Sequence, residues 1–239
     1  MDEDKNENIE NDVNEVSSVE NTNVENDIKQ ETVNTFNEAK EKMKNINFKE
    51  EAEIGKGLFK KLFTNPREAI YEIAHDPNNS FFKTALLLVI IWAGLLLIRE
   101  VIYYMGRKYF TFTFKDFLTI IKTTISPVLT IIALTASMYI FNKKSKKSLI
   151  TTITAFTVAK IPVIVSVLLT YLRYISLNTT YITSPINAFL SVISAVLIYF
   201  AVKSLADEAD ESESLKLFIK VIGVYYIIYF ALSFLGLYI

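Results

Sequence analysis

The chain has 239 residues, 51% of them hydrophobic, a mean hydropathy of +0.29 and a formal net charge of -1. It contains no cysteine and a single histidine, His75, which excludes disulfides, thiolate metal sites, cysteine nucleophiles and a histidine-paired zinc site. The net charge is a cancellation between an acidic N-terminal stretch and a basic remainder, so it identifies no partner.

Residues 1–49 are rich in Asn, Glu, Asp and Lys, with isolated valines. Such a segment buries too little apolar surface to offset about 1–2 kcal/mol of backbone entropy per ordered residue. It reads as a disordered acidic cytoplasmic tail, either solubilising or a docking arm anchored by Ile28, Val33 and Phe36. No secretory signal is expected, because no apolar run follows the acidic start.

Residues 50–83 form an amphipathic juxtamembrane segment. In IGKGLFKKLF, residues 54–63, Leu58, Phe59, Leu62 and Phe63 share a stripe flanked by Lys56, Lys60 and Lys61. That pattern predicts a helix lying in the headgroup region, apolar face down, with the three lysines as interfacial or partner contacts. Asn65-Pro66-Arg67-Glu68 is a helix start, with Asn65 as N-cap, Pro66 at the first helical position and Glu68 placed for a capping box. The helix runs to His75 and buries Ala69, Ile70 and Ile73 as a cuff against the first span. His75 is expected to face water.

Residues 84–239 carry five apolar runs, over about 84–105, 117–141, 149–171, 186–202 and 218–239. The first, from Thr84, has no charged side chain before Arg99, and a helix of about 20 apolar residues crosses the roughly 30 Å hydrocarbon core. The fourth is the shortest. The expected fold is therefore all-α: a polytopic membrane protein with five transmembrane helices. The loop NKKSKKS, with Lys143, Lys144, Lys146 and Lys147, marks the cytoplasmic side. The N-terminus is then inside and the C-terminus outside, with Arg107, Lys108, Lys115 and Arg173 weighing less on the other side.

The segments LFTNPREAIYEI before the first span and AKIPVIV in the third, with the five-span core and the charged 203–216 loop, resemble the Yip family. These are Ypt/Rab-interacting five-span membrane proteins with bacterial relatives. The likeness covers 58–239. It implies the same topology, and a small-GTPase partner only if the chain is eukaryotic. The Asn/Ile/Lys-rich usage points to a bacterial chain and hence to the cell membrane.

Lys160 carries the strongest chemical signal. It sits midway along the third run, two residues before Pro162, and a charge at the bilayer centre costs about 2.5–3.5 kcal/mol on insertion scales. Pro162 cannot donate to the carbonyl of Val158. The functional reading is a polar pocket for an anionic substrate or lipid headgroup, with Pro127 and Pro162 as kinks lining a pathway. The structural reading has Lys160 snorkelling or bonded to carbonyls and threonines. Glu100 and Asp116 are placed too far along their helices to pair with it, and Arg99 and Glu100 read as interfacial anchors on different faces. Lys122 is expected to snorkel outward and Trp92 to pack inside. Ala133/Ser137, Ala155/Ala159 and Ser191/Ala195 are pairs suited to close helix packing.

No phosphate-cradling loop, metal-ligand cluster or nucleophile triad is present. The expectation is a non-enzymatic protein without cofactor, metal or nucleic-acid partner. Its partners are the lipid bilayer, with other membrane proteins or further copies of itself as candidates. The role expected is a membrane organiser or scaffold acting through lipids and protein partners; the alternative is a small-solute or lipid permease or channel with a polar pocket around Lys160.

Overall fold

The computed structural model describes residues 33, 37, 40–41, 47–106, 112–142, 147–172, 180–207 and 210–236. Its contacts divide the chain into Met1–Asn45 and Ile46–Ile239. In the first unit Val33, Asn37, Lys40 and Glu41 are helical and exposed; the rest of the acidic tail lies outside the described residues. The second unit joins the juxtamembrane segment and the apolar runs into one body.

That body is helical, with no strand among its described residues. Its helices are α1 (Phe48–Thr64), α2 (Pro66–Ala74), α3 (Phe82–Met105), α4 (Phe114–Phe141), α5 (Leu149–Ala159), α6 (Ile161–Thr170), α7 (Thr180–Leu205) and α8 (Glu211–Phe234). Helices α3, α4, α7 and α8 are each long and apolar enough to cross a membrane. The pair α5 and α6, bent by 40°, makes a fifth span if taken as one. Such an array fits a multi-pass membrane protein.

Several boundaries differ from the sequence reading. The third run is two helices, because Pro162 withdraws an N–H and its ring crowds the preceding turn. The fourth run is not short: α7 starts at Thr180 and continues through Pro185, which withdraws one helical bond, that to the Tyr181 carbonyl, near the start of the helix. Residues 211–217 are not loop but the opening of α8, where Asp210 accepts from the Ser212 N–H at 2.9 Å and Glu211 and Glu213 complement the helix dipole. The last helix ends at Phe234, with Gly236 following at φ 68, and 237–239 lie outside the described residues.

Helix α2 is not a cuff on the first span. It packs on α5 and α7, with Ala69, Ile70, Ile73 and Ala74 all buried, and so closes one end of the bundle, here called the near end. The Asn65 side chain caps no backbone N–H; its amide instead donates to the Glu68 carboxylate. Helix α1 splits its apolar stripe. Leu58 and Leu62 are buried, while Phe59 and Phe63 are exposed with ring centroids 4.8 Å apart. Glu51, unremarked in the sequence, is buried and accepts from the Thr84 hydroxyl at 2.6 Å, tying α1 to the start of α3.

The main core lies in this near half: Ile70, Leu134, Phe156, Val158, Leu197 and Val202 are members of one buried cluster. Small side chains let the helices approach, and Ala133, Ser137, Ala155 and Ala159 are all buried. The third small pair fails: Ser191 and Ala195 are exposed. On α7 it is Ser194, one position before Ala195, that faces the bundle.

Candidate functional site

The break between α5 and α6 places the site. Lys160 is its hinge residue: its N–H donates to the Thr157 carbonyl at 3.1 Å, and its carbonyl accepts from the N–H groups of Val163 at 2.9 Å and Ile164 at 3.2 Å. Val163 thereby leaves the Ala159 carbonyl without its helical donor, and the Ser194 hydroxyl of α7 donates to that carbonyl at 3.0 Å. The Ala159 carbonyl is therefore an acceptor orphaned by the kink, and a neighbouring helix satisfies it.

Freed from a regular helix, the Lys160 side chain reaches a cavity of about 380 Å³, within the size range of small-ligand sites. Helix α4 supplies Thr119, Thr123, Ser126 and Thr130 to its wall. Their spacing of four, three and four residues sets them on one helical face. The opposite wall is apolar, from Trp92 and Leu96 on α3 and Val163 and Val167 on α6. Tyr225 of α8 completes the lining, its ring centroid 5.8 Å from the Lys160 Nζ, within cation–π range.

Arg99 and Glu100 line the same cavity. They do not point apart as adjacent helical residues usually do, because the Arg99 Nη2 folds back onto the Glu100 Oε1 at 2.7 Å. Glu100 thus shares the cleft with Lys160 but pairs with Arg99. Among the ion pairs of the described residues, none joins Lys160 to a carboxylate. The hydroxyls on α4 have local partners: Thr119 donates to the Lys115 carbonyl at 3.0 Å and Ser126 to that of Thr123 at 2.8 Å. Hydroxyl rotors can exchange such bonds for a ligand.

The other singled-out residues fall elsewhere. Pro127 is buried within a continuous α4 and Pro162 is buried at the start of α6; neither lines the cavity, so both shape it from behind. Trp92 is buried, as its depth predicts. Lys122 is half-buried, and a Cβ added at Gly236 would lie 3.3 Å from its Nζ, so the ammonium sits by the C-terminus of α8, where a cation is favoured. Tyr171 donates to the Leu95 carbonyl, pinning α3 beside the end of α6.

The near end carries most of the remaining charge. Lys56 and Lys60 are exposed. Lys61 meets Glu72 at 2.5 Å and Glu68 at 3.9 Å, and its hydrogen bond to Glu72 holds its ammonium above the ordinary lysine range despite some desolvation. Lys147 pairs with Asp207 at 3.3 Å; Lys143, Lys144 and Lys146 lie outside the described residues. His75 does not simply face water: its Nε2 meets the same Asp207 oxygen at 2.7 Å. A shallow concavity of about 540 Å³ lies here too, lined by Lys61, Glu68, Glu72 and His75 among others. Those charges already engage one another or Asp207, whereas Lys160 has no carboxylate partner in the cleft.

No cluster of His, Cys, Asp and Glu able to hold a metal ion occurs among the described residues. Comparison with protein-family models, with curated proteins and with solved structures finds no match for this chain.

The α4 polar face was legible as a four-three-four run of Thr and Ser inside an apolar stretch. It went unread because single hydroxyls are ordinary in membrane helices.

Proposed function

We propose that the chain is a non-enzymatic, multi-pass membrane protein that admits an anionic ligand to the cleft around Lys160, in the manner of a permease or a membrane-embedded binding protein. One observation carries this reading: an ammonium without a carboxylate partner at the floor of a cavity with a hydroxyl-bearing wall. An ionisable side chain in the middle of an apolar helix run is costly, and is a functional marker by default. A cation left in a low-dielectric cavity is a standing site for an anion.

The orientation proposed is N-terminus inside and C-terminus outside, in the cell membrane of a bacterium. Lys56, Lys60, Lys61 and Lys147 then lie on the cytoplasmic side and the cleft opens toward the outer half. Membership of the Yip family is proposed on the sequence likeness alone, and a small-GTPase partner would follow only for a eukaryotic chain. A second reading, an organiser acting through lipids, membrane proteins or further copies of the chain, is favoured by the exposed Phe59–Phe63 pair with Lys56 and Lys60 beside it.

The native chain lacks cysteine, so single cysteines report access directly. Thr123→Cys in membrane vesicles should react with charged methanethiosulfonates, and faster with the negatively charged reagent than with the positively charged one. Lys160→Leu should abolish that preference, and Ile150→Cys, in the packed half, should stay unlabelled. A Thr123→Cys protein inert to both reagents would leave the organiser as the working answer.

A further inference from the structure

Resting on the anion-binding reading, we infer that the ligand of the Lys160 cleft is a singly charged amphiphile: a carboxylate or phosphodiester head carried on an apolar body. Charge sets the head. The cavity holds Lys160 and Arg99 as cations and Glu100 as its carboxylate, and Arg99 is bound to Glu100 at 2.7 Å. With Lys160 as the ammonium, one net positive charge remains, concentrated at the floor. A monoanion neutralises it; a dianion would leave the cleft with a net negative charge beside its apolar wall.

Shape and lining set the body. The hydroxyl wall of α4 faces an apolar wall of Trp92, Leu96, Val163 and Val167, three of which, Trp92, Leu96 and Val167, are themselves buried. Trp92, Leu96, Ile164 and Val167 form a hydrophobic cluster separate from the main core. A small hydrated anion would leave this wall wetted, with no partner for its apolar surface. An acyl or other hydrocarbon portion laid along it would remove that surface from water, while the head takes charge-assisted bonds from Lys160. The side chains there fit the same division: the ammonium lies 5.8 Å from the centroid of the Tyr225 ring, which lines the cavity with it, and carries three N–H donors with no carboxylate partner.

The purified full-length protein in a neutral detergent would be titrated with octanoate, acetate, inorganic phosphate and short-chain phosphatidylglycerol, with thermal unfolding as the readout. Octanoate and phosphatidylglycerol share the proposed chemistry and separate a water-borne source from a bilayer source. At least one of them should raise the unfolding temperature saturably, with acetate and phosphate inert at equal concentration. Lys160→Leu should weaken the apparent affinity at least tenfold, and Lys160→Arg should retain most of it. Lys160-dependent binding of acetate or phosphate as strong as that of octanoate would overturn the amphiphile while leaving the anion site standing. Saturable binding to none of the four probes, or binding unchanged in Lys160→Leu, would overturn both.

Discussion

The two halves of the bundle solve opposite problems with the same helices. In the near half α2 is driven into the groove between α5 and α7, and Ala69, Ile70, Phe156 and Val158 lose all or nearly all exposure. In the far half the same α5–α6 run, past its break, packs mainly on α7, and a cavity of about 380 Å³ is lined by α3, α4, α6 and α8. The residue at the boundary is Lys160. A continuous helix would let the packing of the near half propagate outward; the proline break stops it. The lesson is that the cleft lies where the backbone hydrogen bonding breaks beside Pro162, and its lining gives it chemistry.

The largest test of that contrast is a truncation in each half. Phe156→Ala removes a fully buried ring from the near-half core and should cost about 3–5 kcal/mol, since its neighbours cannot collapse into the space. Leu96→Ala, at the wall of a cavity that already exists, should fall at the low end of the range for a buried leucine, about 2 kcal/mol. Chemical unfolding of both variants in the same detergent measures the difference. Equal costs would mean that the cavity is closed and packed in solution, and that the two halves are alike.

A smaller effect isolates the break itself. Ser194 supplies the donor that the Ala159 carbonyl lacks, so Ser194→Ala leaves a buried acceptor unpaired at about 1–2 kcal/mol. Pro162→Ala restores a backbone N–H and lets the α5–α6 junction return toward regular helix, where Val163 can donate to Ala159. In that background Ser194→Ala should cost only a few tenths of a kcal/mol, a coupling near 1 kcal/mol in a double-mutant cycle. Pro162→Ala should also slow labelling at Thr123→Cys, as the 40° bend relaxes. Additive costs would show that Ser194 and the break are independent.

Much of this was readable beforehand, and the failures are instructive. Hydropathy located every apolar run, because apolar length is a one-dimensional property. Lys160 stood out because a charge is a rare event in such runs, and Pro162 because it follows that charge by two residues. What could not be read was where α2 would pack, since Ala69, Ile70 and Ile73 fit any apolar groove equally well. Nor could pairing be read: Arg99 and Glu100 are neighbours on a helix and meet only because Arg99 curls back. His75 and Asp207 lie far apart in sequence and meet only when α2 and the end of α7 share one end of the bundle. Asp207 sits there at φ 51, a backbone state that Asp tolerates better than most residues, and no local pattern announces it.

The smallest prediction concerns the hinge into α3, where the near half begins. Asp76 accepts from the Asn78 N–H at 2.9 Å and from the Ser80 N–H and hydroxyl at 2.5 Å each. Burial alone would push its carboxyl up, but these bonds outweigh burial and hold it below the ordinary carboxylate range. A carboxyl depressed on folding stabilises the folded state above its unfolded pKa, and that contribution fades as pH falls through the folded value. Asp76→Asn should therefore be less stable than the native chain at neutral pH, by up to about 1 kcal/mol. The gap should narrow from about pH 4 downward as the native carboxylate takes up a proton. The other carboxylates are common to both proteins and cancel in the difference. Thermal unfolding of the pair between pH 7 and pH 3 reads it. A gap that widens on acidification would mean that the bonds to Asn78 and Ser80 do not hold the charged form, and that α3 is launched from the near end by packing alone.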